Sequence, residues 1–253
     1  CEVTFRTIMK RIALAVGALF ALLTLWHFSK APRADRDWVP DLAEQARVER
    51  DGDLIRIQNY RNWTWDEAGA AREAWTTSPD FKIAEVRAAW LVVEPHPSMT
   101  IMAHTLVIFE FESGTLIGLS VEARKEKGEK YSALKGAFRE YELSYQWASP
   151  QDLLTRRAIT LKRALFMYPL KLSPDELQAY LTTLVDRTRA MESRPRFYNT
   201  LHSNCTNELA KSAKLKWDPA FIFTGRAAEA LDKMERISGE GDFAAKKARA
   251  QID

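Results

Sequence analysis

The sequence predicts an α+β domain carried behind an N-terminal apolar helix, and three observations predict it. β-forming runs crowd the first two thirds of the chain, at 54–60, 88–93, 101–111, 115–123 and 141–147. Helical spacing takes over where Ser173-Pro174-Asp175-Glu176 forms an S-x-x-E capping box with Pro at the first helical position. Ahead of both, residues 12–28 hold no Asp, Glu, Lys or Arg. At 253 residues the chain suits one domain with appendages and can bury a sizeable core. Its net charge of +3 is small and its basic and acidic residues are interspersed, which excludes a nucleic-acid surface.

The apolar run is short for a spanning helix and long for a signal-peptide core. Its flank, Ser29-Lys30-Ala31-Pro32-Arg33, has no clean small-x-small cleavage site, and Trp26 sits where an interface aromatic would. Residues 1–30 therefore read as a membrane anchor or uncleaved signal that leaves the rest of the chain outside the cytoplasm. Residues 1–8 precede Met9 and read as upstream read-through, and Cys1, lying before the apolar run, is not a lipidation site. Residues 31–52 turn polar with Pro32 and Pro40 and read as a linker. The domain proper spans 53–225. Residues 226–253 read as a helical, increasingly charged tail that frays.

Within the domain, Trp63 and Trp65 point the same way from an extended chain, as a core or groove wall would require. The run at 101–111 is almost continuously apolar, so both its faces are expected to be buried. Glu112-Ser113-Gly114 reads as its hairpin loop. With Gly114 left-handed in a three-residue loop, Phe111 pairs with Thr115, and counting back sets His104 opposite Glu122 on one face, with Ser120 two residues along. A two-residue loop would send Glu122 to the other face; Gly at the third position fits the first option. Residues 124–130 read as a solvated loop. At 141–147, Tyr141, Leu143, Tyr145 and Trp147 alternate with Glu142, Ser144 and Gln146, the pattern of a strand with one half-buried face. Residues 151–163 fit helix or extended chain, and 165–170 a strand or a buried connection.

In His202-Ser203-Asn204-Cys205-Thr206-Asn207-Glu208-Leu209 the only interior thiol stands at a helix start, with Asn204 as N-cap and an apolar stripe beginning at Leu209. A thiol in the first helical turn feels unpaired N–H groups, which favour thiolate. The alternative is a small buried hydrophobe, against which Asn204, Thr206 and Asn207 argue. Four His are candidate bases. His27 belongs to the apolar helix, His96 is wedged between prolines, and His202 precedes the thiol too closely. His104 lies in an apolar strand, where an imidazole requires a partner and where a satisfied core His is the other reading. No C-x-x-C, H-E-x-x-H or glycine-rich phosphate loop occurs, so no metal or cofactor is expected.

Three blocks carry a resemblance: Ala103-His104-Thr105-Leu106; Ser120-Val121-Glu122-Ala123-Arg124 with Gly128-Glu129-Lys130-Tyr131-Ser132; and Phe197-Tyr198-Asn199-Thr200-Leu201 with Asn204-Cys205-Thr206. From about Trp38 to about Gly225 the chain resembles a bacterial family named for the N-terminal periplasmic domain of Lnb, a lipoprotein N-acyltransferase. The resemblance implies a papain-like (permuted NlpC/P60- or LRAT-like) antiparallel sheet, in which His precedes Cys along the chain. It also implies Cys205 as nucleophile and His104 as base; Glu122 or Ser120 would then orient the imidazole, Asn204 cap the helix and the Cys205 N–H hold an oxyanion. The implied activity is acyl transfer or hydrolysis through a thioester. Its partners would be a bacterial lipoprotein or a phospholipid acyl donor, at the inner membrane and facing the periplasm. A thiol amidase or peptidase acting on cell-wall peptides, and an anchored interaction domain without catalysis, are the competing readings.

Overall fold

The structure is a computed structural model that describes residues 2–252, with side chains from residue 5; Cys1, and what was expected of it, lies outside the described residues. Helix α1 (Glu2–Ser29) contains the apolar run and is long and apolar enough to cross a membrane. Its last turn meets the domain. The rings of His27 and Phe138 lie 6.0 Å apart, Arg139 stacks on Phe28, and Lys30 pairs with Glu140 at 2.6 Å.

The next elements are β1 (Arg47–Asp51), β2 (Leu54–Arg61), β3 (Thr64–Asp66), β4 (Gly69–Arg72), β5 (Trp75–Thr77) and β6 (Phe81–Lys82). The long strands β7 (Val86–Pro95), β8 (Ala103–Phe111) and β9 (Leu116–Arg124) come next, then α2 (Ala133–Ala137), β10 (Glu142–Ala148) and α3 (Pro150–Thr155). The chain closes with β11 (Leu165–Pro169), α4 (Pro174–Ser193), α5 (Cys205–Ser212), α6 (Ala227–Lys233), α7 (Phe243–Ala250) and β12 (Gln251–Ile252). The main sheet runs β1-β2-β10-β9-β8-β7-β11-β12, with β5 and β6 also on β2. Its pairings are antiparallel save one parallel bridge, Ala148 to Arg61, so the sheet is mixed rather than purely antiparallel.

The two faces are buried differently. On one, Leu177, Tyr180, Leu181, Leu184 and Val185 of α4 and Leu209 of α5 pack on Val107, Phe109, Leu119, Val121 and Tyr145. On the other, Leu153 of α3 packs with Leu106, Ile108 and Val92. Helix α4 starts at the expected capping box, where the Ser173 side chain accepts from the Glu176 N–H and Glu176 reaches back to the Ser173 N–H. The hairpin loop also has its expected length. Gly114 sits at φ 80° and donates to Phe111, the Phe111 N–H donates to the Thr115 carbonyl, and the ladder Leu106–Ser120 to Glu110–Leu116 keeps the three-residue register.

Four expectations need correction. β10 is buried on both faces, because it lies inside the sheet between β9 and β2 and the chain at 31–46 covers its polar side. There Arg36 pairs with Glu142 at 3.0 Å, Ser144 donates to Gln45, and Trp38, Leu42 and Ala46 are buried, so part of the stretch read as a linker is packed structure. Arg124, placed in a solvated loop, is instead buried at the end of β9, stacks on Trp38 and donates to the Leu42 and Ala43 carbonyls. The charged tail does not end as a frayed helix: after α7 it returns as β12 and pairs Ile252 with Leu165 of β11. Trp63 is buried and its ring centroid lies 5.4 Å from that of Trp65, whose Nε1 donates to the buried Asp152 carboxylate, which makes the pair a packed wall.

Candidate functional site

His104 is the second residue of β8, at the end of the sheet beside the start of α5. Consecutive strand residues leave opposite faces. Thr105 accordingly turns under α5, where its Oγ1 lies 3.0 Å from Thr206 Oγ1, while His104 Nε2 lies 2.7 Å from Ser120 Oγ and 3.3 Å from Glu122 Oε1. Ser120 in turn donates to Glu122 at 2.6 Å. The register that brings these together comes from Gly114 at the far end of the hairpin, since a one-residue slip would turn Glu122 over.

A second carboxylate flanks the imidazole: Glu94 is the cross-strand partner of His104 on β7. Between the two acids sits Arg157, almost wholly buried, in a π-helical turn at 156–160 directly after α3. Its Nε donates to Glu94 at 3.0 Å, one terminal nitrogen donates to Glu122 at 3.1 Å, and the other to the Leu153 carbonyl at 2.9 Å. Arg157 was not singled out from the sequence, because residues 151–163 show no clear periodicity. A single wide turn inside a helix is itself a signature of functional sites, but it has no residue pattern to announce it.

Cys205 is the first residue of α5 and is buried. Asn204 caps the helix: its Oδ1 accepts from the Asn207 N–H at 2.8 Å, and its Nδ2 donates to the Thr200 and Phe221 carbonyls at 2.8 and 2.9 Å. With both side-chain functions engaged, Asn204 holds the thiol in place and has no donor left for a ligand. Among the described residues the backbone N–H groups of Cys205 and Thr206 have no hydrogen-bond acceptor. These are the open donors of a helix start.

The electrostatics follow from this placement. Burial disfavours an imidazolium, yet the charges of Glu122 and of the Cys205 sulfur outweigh it and raise His104 to about 10. Burial likewise pushes the Cys205 thiol up, but the charge of His104 beside it, helped by the polar groups of Thr105, pulls it down to about 7; the sulfur itself lies 3.9 Å from Thr206 Oγ1. Glu122 is desolvated as well, and His104 and Arg157 hold it well below the carboxylate range. At neutral pH the pair is therefore an imidazolium with a large thiolate fraction.

Four of the five site residues proposed from the sequence, His104, Ser120, Glu122 and Cys205, meet at one place, with Asn204 beneath the thiol. His104, Asn204 and Cys205 line one cleft together with Tyr131, Tyr198, Met102 and Arg163. His96 lies at its edge, its Nδ1 accepting from the Ser98 and Met99 N–H groups, and His202 is exposed on the loop before α5. Behind α5 the sequence reading missed Glu208. It is fully buried and accepts from Arg187 at 2.8 Å, Arg196 at 2.9 Å, Ser203 at 2.6 Å and Tyr145 at 2.6 Å. An acid in the first turn of a short helix, four residues after a cap, was its available signal. Among the described residues no cluster of three or more His, Cys, Asp or Glu is placed to hold a metal ion.

His104 near the start of β8 and Cys205 at the first position of α5 thus line one cleft. The profile of the Lnb N-terminal periplasmic domain matches residues 71–233, which is most of the chain, and the protein belongs to that family of periplasmic domains. The match starts later than the expected bound near Trp38 and runs past Gly225 through α6, so β1 and β2 lie outside it. No curated protein and no solved structure matches the chain.

Proposed function

We propose that the protein is a membrane-anchored cysteine acyltransferase or acyl hydrolase of the bacterial periplasm, papain-like with permuted chain order, acting on a lipoprotein or another lipid-linked ester. The observation that carries this reading is the placement of Cys205 and His104 on one cleft, with Glu122 3.3 Å from the imidazole and Glu94 its cross-strand neighbour. The Cys205 thiolate attacks the ester carbonyl, and the open N–H groups of Cys205 and Thr206 receive the oxyanion. Collapse of the tetrahedral intermediate breaks the C–O bond, the His104 imidazolium gives its proton to the departing alkoxide, and a thioester remains on Cys205. An amine or water then attacks the thioester, His104 takes the proton, and the thiolate leaves. Glu122, through Ser120 and directly, keeps the imidazole oriented and favours its charged form. Helix α1 serves here as an uncleaved anchor; its length and apolar composition support that, and its last turn packs on the domain.

Intact-mass measurement of the protein purified after exposure to phospholipid membranes tests the reading. One acyl residue added to Cys205, and none in Cys205→Ser, is the expected outcome. The same adduct on the Cys205→Ser chain would overturn the assignment. Release of peptides from peptidoglycan with no adduct would make the protein a cell-wall amidase instead.

A further inference from the structure

The cleft has a mouth with an unusual surface, and that surface continues into α1. One lip is a plate made of α2 and the loop before α5: Thr200 Oγ1 donates to the Ala133 carbonyl, and Gly136 leaves so little room that an added Cβ would lie 2.5 Å from Thr200 Oγ1. This plate buries Tyr198 and Thr200 against the cleft and displays Tyr131, Leu134, Phe138 and Leu201 outward, Leu134 being 71% exposed. The opposite lip is the turn between β7 and β8. Pro97 and Met102 line the cleft there, while Met99 and Ile101 are exposed. Thus both sides of the opening carry large apolar side chains in water, a patch of the kind that marks a partner or a membrane.

The occupant is indicated by what adjoins the patch. Phe138 of the plate touches His27 in the last turn of α1, and its neighbour Arg139 stacks on Phe28. A shallow hollow lies between that last turn and the loop before α5, with Lys30, Arg139 and Arg196 on its walls. Exposed Lys130 and Lys135 stand on the plate itself. An apolar helix that can cross a membrane thus ends on the apolar, cation-bearing lip of the cleft, and these are the ingredients by which a domain lies in an anionic lipid interface.

We infer that the mouth of the cleft docks flat on the lipid bilayer that α1 enters, so that Cys205 receives a lipid ester from the membrane surface. Lips of aromatic and aliphatic side chains enter the headgroup boundary, and the cations meet lipid phosphates. This deepens the acyl-transfer reading and rests on it for the identity of the substrate, but docking itself does not require catalysis.

The test therefore uses a chain that cannot react. In the full-length protein carrying Cys1→Ser and Cys205→Ser, single cysteines are introduced by Leu134→Cys, Ile101→Cys or Glu112→Cys, and each is labelled with a polarity-sensitive fluorophore. Glu112 is exposed at the loop end of the β8–β9 hairpin, at the opposite end of the sheet from His104. The proteins are reconstituted into vesicles of phosphatidylethanolamine and phosphatidylglycerol, with and without lipid-borne nitroxide. The expected result is a blue shift and nitroxide quenching at both 134 and 101, and neither at 112. Emission at 134 or at 101 matching that at 112 would overturn the docking. Docking without an acyl adduct on the native protein would leave the interface standing and sink the transfer reaction, so the two failures are distinguishable.

Discussion

Two carboxylates serve the Cys205 helix, Glu208 from its back and Glu122 through His104, and they differ in what is left for them to do. Glu208, behind α5, is fully enclosed and takes hydrogen bonds from Arg187, Arg196, Ser203 and Tyr145, which lower it to about 2 against the penalty of burial. Glu122, in front, shares its donors with a titrating neighbour and keeps about a fifth of its side chain accessible. A saturated carboxylate fixes geometry. One whose partner can lose a proton sets how readily that proton moves. The fold uses the first to seat the helix and the second to charge the imidazole.

The largest effect that separates the two should come from Glu208→Ala. Removing the buried acid leaves the Tyr145 and Ser203 hydroxyls without their acceptor, while Arg187 and Arg196 stay partly solvated, a loss of about 1–3 kcal/mol. Urea unfolding should show that loss, while the alkylation of Cys205 in the folded protein keeps its pH midpoint near 7. A shifted midpoint would show that Glu208 also acts on the thiol.

Next comes His104→Asn, which removes the charge that lowers the thiol. The Cys205 midpoint should move from about 7 toward the unperturbed 9.0, and a shift of about two units leaves roughly fiftyfold less thiolate at pH 7. The sign is fixed by the pair. The raised His104 contributes stability that is fully present below 6.5 and is lost as pH rises through about 10. The lowered Cys205 contributes stability present above 9.0 and lost as pH falls through about 7. Iodoacetamide rates against pH read the midpoint directly, and an unchanged curve would break the coupling.

The smallest is Glu122→Gln. Loss of an adjacent opposite charge should lower the His104 pKa by about 1–3 units from its raised value, visible in the imidazole proton resonances. Unfolding free energy should change less than in Glu208→Ala, because Ser120, Arg157 and the amide can still share hydrogen bonds. Equal losses of stability in the two variants would erase the distinction between them.

What was legible in the chain were features decided within a few residues. The Ser173–Glu176 box, the Asn204 cap and the hairpin of Gly114 are local contests of hydrogen bonding and backbone angle, and each formed as its residues require. From the hairpin register alone the approach of Glu122 to His104 could be counted out. What escaped was whatever depends on distant covering. Glu142, Ser144 and Gln146 look like a wet strand face until the chain near Arg36 and Gln45 is laid over them. Arg157 looks like one more surface cation until β7 and β9 bring Glu94 and Glu122 to it from 63 and 35 residues away. Glu208 likewise acquires meaning only with Tyr145, 63 residues upstream.

The π-turn at 156–160 reaches beyond Arg157 itself. Such a turn amounts to one residue more than an α-helix would use, and here the Leu161 N–H bonds to the carbonyl of Arg156. Arg157 is phased by α3 before the turn, whereas Arg163, whose Nε is 3.7 Å from the other oxygen of Glu94, is phased by the chain on the far side of the turn. Deleting one residue between them would rotate the downstream chain by about 100° about the helix axis. The two-armed grip on Glu94 would open, although no charged residue had been removed. The wide turn works as a spacer in rotation rather than in length, and the charge pattern beside His104 depends on it.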